Sequence, residues 1–582
     1  FWLKRQLDTK PEYLHTLTLF PSPAMAEIED NAMLVSLSSE NPSVRINALV
    51  EIGKLGELGA SNMGLNDAAY RLLVDPDVKV QAAAIMALGN MGKYGAAYLD
   101  QIGPLLDGSS KEVKLAAVKA LGMLGESSSA YASNLEACLG DRDDEIIAAA
   151  CVSLGSMKAS SSASKIAAFL KGGDTDLAIA ACTGLGLMDA MDDELAKAMD
   201  AKDLRLRAAA CSALVPKGAN YLAKAVTLLG DSDVYVRTNA MYMIESAGDK
   251  AADVVADIGK LLTSDDIGVR IAAAAALGGI GEKAISQAAG LEALLTDASE
   301  DASSLMLSIA GMQKKFAPSL RKPACAAADA LAAIGAETSA GAVAKAMGAS
   351  TDYETQAACA SALGKMGKEG AKFEDSLIPL LDDVHPMVAA ASCTALGSIS
   401  LCTSANPAAA EKVVECLKNA HPGVRGAAAK ALGNMGDEAI PYIEDIFKCF
   451  GDATPYVRAS AVEAVATIGE LGQMYASEVC RLMFDPQVKV RLAAVNGLQK
   501  MGERGAGFAE EVVSLLSDGV PEVRSSAIKT LELFGNDMIY PFVQAIQEVA
   551  EGDPSPEVQE AASALASTIT VPSIRGALEN NE

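Results

Sequence analysis

The sequence predicts an all-α solenoid, a superhelical stack of two-helix repeats, and three observations carry that expectation. A segment recurs about every 33 residues, its apolar residues follow helical spacing, and the chain is 50% apolar yet only 4% aromatic. Length alone points elsewhere, since 582 residues would ordinarily suggest about four globular domains. Self-similarity overrides that prior, because periods of this size mark repeat arrays.

The run from Val113 to Gly125 serves as the ruler. Aligned on its first residue, copies begin at Val44, Val80, Val113, Ile146, Leu177, Leu206, Val236 and Val269, and again from Pro323 through Thr355, Val388, Val424, Val457, Val490, Val523 and Val558. A weaker copy at Ala302 brings the total to seventeen, or fifteen if Ala302 and Pro323 are set aside. Val113, Ala116, Ala117, Ala120, Leu121 and Leu124 fall on one face of an α-helix, the second helix of the unit. Five residues before the anchor stands a turn and cap residue, as in Asp75, Asp141 and Asp485, often followed by Pro. An apolar segment such as Tyr98 to Leu106 or Phe373 to Leu381 precedes the turn and forms the first helix. Gly125, Gly281, Gly367 and Gly436 stop the second helix. Two short helices cannot bury their own apolar face, so neighbouring units must stack. Small Ala side chains let the helix axes approach to about 8 Å.

The unit resembles a short HEAT repeat. The likeness lies in Ile102, Pro104, Leu105, Leu106 and Asp107 followed by Val113, Lys114, Ala117, Ala120, Leu121 and Gly122, and it recurs from Ile378 to Gly397. The Thr-Pro-Leu-His signature of ankyrin repeats and the paired Trp, Gly and Tyr positions of tetratricopeptide repeats are absent. The short period is similar to that of the phycobilisome-lyase-like subgroup. The resemblance implies a ladder of charged hydrogen bonds between successive repeats, from an Asp in the turn and an Arg just inside the second helix. Here those residues are Asp231 and Arg237, Asp452 and Arg458, Asp485 and Arg491, and Asp518 and Arg524, with Asn419 and Arg425 as a softer version. Ile147 and Ala178 replace the basic residue in two copies.

Lys plus Arg number 48 against 75 for Asp plus Glu, a formal charge of -27, so nucleic acid is excluded as a default partner. Eleven Cys scattered among Ala and Ser read as buried thiols of a reducing, cytoplasmic setting, not as a disulfide framework. No apolar run is long enough to span a membrane. Residues 1–24 form an irregular arm without signal-peptide layout, 25–311 an N-terminal arc, 312–322 an irregular joint, 323–570 a C-terminal arc and 571–582 a tail.

Signals for catalysis are poor. Of three His, His15 lies in the arm, while His385 and His421 precede Pro in turns and read as turn residues. Deoxyhypusine hydroxylase, an enzyme of the short-HEAT class, uses His-Glu pairs, and this sequence has none. Gly-x-x-Gly, as in Gly89 to Gly92, lacks the Lys-Ser or Lys-Thr sequel of a phosphate loop and reads as helix crowding and capping. No Cys-x-x-Cys indicates zinc or a redox dithiol, and no cofactor is expected. Carboxylates from Asp141 to Glu145 and from Asp192 to Glu194 read as solvated caps. Lys314, Lys315, Arg321 and Lys322 reverse the local charge at the joint, where an exposed linker competes with a partner-binding site.

The first functional expectation is a non-catalytic scaffold or adaptor, alone or within a larger assembly, whose groove of second helices holds a protein partner with a basic surface. The alternative is a bilin lyase or pigment-attachment factor, implied by the repeat subgroup alone.

Overall fold

A computed structural model describes residues 33–60, 65–108, 110–301, 322–553 and 555–570, and among them every regular element is helical. They fall into two compact units, one ending at Ile258 and the other beginning at Gly259. We number the second helices of the repeats in chain order. The first unit contains α1 Pro42–Ala60, α2 Val78–Asn90, α3 Lys111–Leu124, α4 Asp144–Ser156, α5 Thr175–Leu187, α6 Leu204–Leu214 and α7 Val234–Ser246. The second contains α8 Ile267–Ile280, α9 Pro323–Ala333, α10 Tyr353–Lys365, α11 Pro386–Ser400, α12 Pro422–Met435, α13 Pro455–Val465, α14 Val488–Lys500, α15 Pro521–Phe534 and α16 Pro556–Thr568. Within each unit every second helix packs on the next. The first helices are shorter and finish in 3-10 turns where Pro104 and Pro379 remove a helical donor, as in Leu99–Ile102 with Gly103–Asp107.

The core is the face read from the ruler: Ala117, Val118, Ala120 and Leu121 are fully buried. Each Ala methyl contributes about 0.8 kcal/mol on burial, so stability accumulates by repetition. Crowding explains the first glycine of each Gly-x-x-Gly. A Cβ on Gly89 would stand 2.8 Å from the Ala120 Cα, and one on Gly433 would stand 2.6 Å from that of Ala464. The second glycine supplies the left-handed turn after the helix, with φ of 56° at Gly125 and 58° at Gly436.

Two details differ from the sequence reading. The helix cap lies three residues before the anchor, not five: Asp77 accepts from the Lys79 and Val80 amides, and Asp174 from that of Leu177. The Asp five residues before the anchor, freed from capping, serves the ladder described below. At the break in register, α8 lies directly against α9, a Cβ on Gly278 standing 3.2 Å from the Ala330 Cα. The first helix Ala288–Leu294 also packs on α9. Pro323 thus opens a true second helix, and the surplus residues enter between the two helices of that one unit. Ala302 itself, like His15 and most of the expected joint, lies outside the described residues.

Candidate protein-binding faces and the ladder between repeats

Arg237, Arg425, Arg458, Arg491 and Arg524 each stand one residue after an anchor, where the first turn of the second helix points the side chain at the inter-helix turn. In the copy of Arg458, Nη1 donates to the carbonyl oxygen of Asp452 at 2.8 Å, within its own unit. Nε and Nη2 then donate to the two carboxylate oxygens of Asp485, in the next unit, at 2.8 Å each. The side-chain pair is therefore between copies, and the six-residue pair within a copy is a bond to backbone. Arg425 binds Asp452, Arg491 binds Asp518 and Arg524 binds Asp553 in the same two-pronged way, giving an unbroken run from Arg425 to Asp553. Asn419 takes part through its carbonyl, which accepts from Arg425 Nη1 at 2.9 Å. Arg237 donates likewise to the Asp231 carbonyl, while the Asp231 carboxylate receives Arg207.

Each Asp also accepts from its own turn, as Asp485 does from the Gln487 amide at 2.8 Å. The carboxylates are nearly buried, with the Arg491 and Asp518 side chains 10% and 8% exposed. Arg425 holds the Asp452 carboxyl below its ordinary value. Burial alone would raise Asp231, but the bonds from Arg207 outweigh it and the net shift is downward. Further rungs join Arg45 to Asp75, Lys114 to Asp141 and Arg270 to Asp297. These last were not singled out from sequence, although each has the same register: a basic residue after the anchor and an Asp before the next.

Of the basic cluster at the joint, Lys314, Lys315 and Arg321 lie outside the described residues. Lys322 is buried and bridges Asp352 and Glu354, the latter at 2.8 Å. Burial would lower its ammonium, yet the two carboxylates hold it above the ordinary value. Its charge is neutralised inside the stack, so it acts there as a structural link.

The remaining candidates take structural places. His385 and His421 cap α11 and α12 through Nδ1, accepting from the Met387 and Gly423 amides, and the His385 ring stacks on Tyr353 at 3.7 Å. Asp143 caps α4 while Lys111 pairs with it and with Glu145; Asp192 pairs with Lys217. Ten of eleven Cys are buried and Cys402 is exposed; burial pushes the Cys151 and Cys359 thiols up to about 12. Among the described residues no three His, Cys, Asp or Glu side chains are grouped to hold a metal ion, and no helix is long and apolar enough to cross a membrane. A third glycine, present in some of the connections, was missed: a Cβ on Gly370 would stand 1.9 Å from the Leu363 carbonyl oxygen. Its signal is a Gly three residues past the capping one, as in Gly367 with Gly370 and Gly502 with Gly505.

Charge separates by helix type in the unit beginning at Gly259. Acidic residues dominate the first helices and the connections beside them, with Asp375, Glu411, Glu444, Glu470 and Glu510 all exposed. Several of the few lysines there, such as Lys412 and Lys448, are already paired with a neighbouring carboxylate. On the second helices, exposed Lys365, Lys430, Lys500 and Lys529 balance Glu463, Glu522 and Glu532. The acidic face is that of the first helices.

These features define the class, an all-α repeat solenoid whose units are joined by a charged ladder. The family model for HEAT repeats matches residues 66–155, 222–306 and 374–466, so the chain contains HEAT repeats in those three stretches. No curated protein matches the sequence. Among solved structures, the fold is similar to yeast importin-beta (Kap95p), with a TM-score of 0.64 at 11% identity over 92% of this chain and 81% of that one. It is also similar to a structure of the Kap95:Nup1 complex, with a TM-score of 0.51 at 14% identity over 94% of this chain and 83% of the other. Identities this low establish the shared fold. The finer likeness to the phycobilisome-lyase subgroup, and with it pigment attachment, gains no support from these matches.

Proposed function

We propose that the chain is a non-catalytic protein-interaction scaffold, and that its partner carries a basic surface docking on the first-helix face of residues 259–570. The observation that carries this reading is the separation of charge just described, which concentrates the excess of acid on one set of helices. The sequence had suggested the second-helix groove for such a partner. The balanced charge of those helices favours the other face. Long-range attraction would make association fast and salt-sensitive. Sparse aromatics favour a contact distributed over several units instead of one deep anchor. One of the structures sharing the fold is a complex with another protein, Nup1, in keeping with a protein-binding role.

The test is affinity capture from lysate with mass spectrometry, followed by titration of the captured partner. Affinity should fall at least about tenfold between 50 and 500 mM NaCl, and E411K/E444K/E510K should weaken binding more than a triple Lys→Glu change at Lys430, Lys500 and Lys529. A salt-independent affinity, or the reverse ranking of the two triple variants, would sink the assignment of face.

A further inference from the structure

Four peculiarities coincide in α4, α5 and α6. The ladder is missing between α4 and α5 and between α5 and α6, and it is missing in matched pairs. Ile147 and Ala178 occupy the Arg positions, buried at 7% and 3% exposure, and the residues that would have supplied the receiving carboxylates are Gly172 and Ala201. No charge is stranded by the loss. The core changes at the same place: Cys151, Cys182 and Cys211 hold one register position in the three helices, all fully buried, where α13, α14 and α15 hold Val462, Val495 and Ile528. The spacing contracts as well, since Ile146, Leu177, Leu206 and Val236 lie 31, 29 and 30 residues apart. Finally, the positive-φ residues other than glycine among the described residues are Lys158, Asp189 and Met191, all in the connections after α4 and α5.

We infer that residues 144–214 are a compliant section built into the first unit, where adjacent repeats shift and open more readily than elsewhere in the array. A two-pronged Arg–Asp pair fixes direction as well as distance, so neighbouring turns joined by one resist sliding. The charged pairs that do cross copies here, Arg205 with Asp176 and Lys217 with Asp189 and Asp192, lie toward the surface, where water screens them. The interior contacts among Ile, Ala, Gly and Cys are non-directional and leave several alignments close in energy. Left-handed backbone at Lys158, Asp189 and Met191 stores strain that local opening releases. Arg207, at the end of the section, still donates to the Ala201 carbonyl and grips Asp231, so the section closes on a rung. Second helices α9 to α11 share buried cysteines and absent Arg, but there Lys322 ties α9 to Asp352 and Glu354. Compliance of this kind lets one stretch of a stack adjust to a partner while the run from Arg425 to Asp553 keeps its register.

Amide hydrogen exchange of the full chain tests this. Amides of α4 to α6 should exchange at least about tenfold faster than those of α13 to α15. The variant A178R/A201D installs one missing rung, with Ala201 chosen because its carbonyl already sits as a ladder carbonyl does. It should slow exchange in α5 and α6 at least about threefold and leave α13 to α15 unchanged. Equal protection of the two sections in the wild-type chain overturns the inference whether or not the variant folds. So does a folded variant whose α5 and α6 amides exchange at the wild-type rate.

Discussion

Arg458 holds its own turn and the next one at once, donating through Nη1 to the Asp452 carbonyl and through Nε and Nη2 to the Asp485 carboxylate. Every guanidinium in the run is used in this way, so removing one strands a nearly buried carboxylate. Arg491→Ala should destabilise the chain by roughly 3 kcal/mol, the scale for breaking a buried pair from one side. Arg491→Lys should fall between, since an ammonium keeps the charge but cannot form both prongs. Urea denaturation followed by circular dichroism reads the ranking, and equal midpoints for Ala and wild type would contradict it.

Acid should undo the same bonds. The Asp231, Asp297 and Asp452 carboxyls lie below their ordinary values in the folded chain, so their stabilisation is complete above the unfolded value near 4 and fades as pH falls through the depressed folded values. Melting temperature should hold nearly level from pH 7 to about 5 and drop steeply below about pH 4. Asp452→Asn should lower it at pH 7 and flatten the acid limb; an unchanged limb would remove Asp452 from the explanation.

Helix crowding makes a sharp contrast between glycines. Gly397→Ala places its Cβ 2.6 Å from the Ala431 Cα, a backbone atom that cannot step aside, and should cost about 1–3 kcal/mol. Gly451→Ala meets nothing within 4 Å and has no positive φ, so its effect should stay within about 0.5 kcal/mol. Thermal melts of the two variants side by side decide the matter.

Thiol chemistry should be equally uneven. At pH 8 the native chain should react promptly with a disulfide reagent at Cys402 alone, because the other ten are buried and burial has pushed thiols such as Cys151 and Cys182 up to about 12. Cys402→Ser should abolish the fast phase, and denaturant should restore reaction at the buried ten. A fast phase surviving Cys402→Ser would show a second accessible thiol.

The sequence made the second helices legible because their burial is periodic: the face from Val113 to Leu124 is the face that packs. It also marked Arg458 and Asp485 as ladder residues, but not as partners of each other. The bond joins residues that only the stacking of two units brings together, while the six-residue spacing of Asp452 and Arg458 is conspicuous in one dimension. Cap assignment failed for a related reason. Asp75 and Asp77 are both turn acids, and only the backbone path shows that Asp77 meets the helix amides while Asp75 meets Arg45. Charge separation was hidden because net charge is a sum over faces, and Lys322 looked free because Asp352 and Glu354 lie thirty residues on.

The double grip of Arg458 gives each unit a polarity, with a carboxylate acceptor at its leading turn and a guanidinium donor just behind. A whole unit copied in tandem between Arg425 and Asp553 would find its acceptor filled from one side and its donor satisfied on the other. Lengthening by duplication is therefore nearly neutral in this stretch, and the repeats there are interchangeable parts in the path by which such a chain can grow.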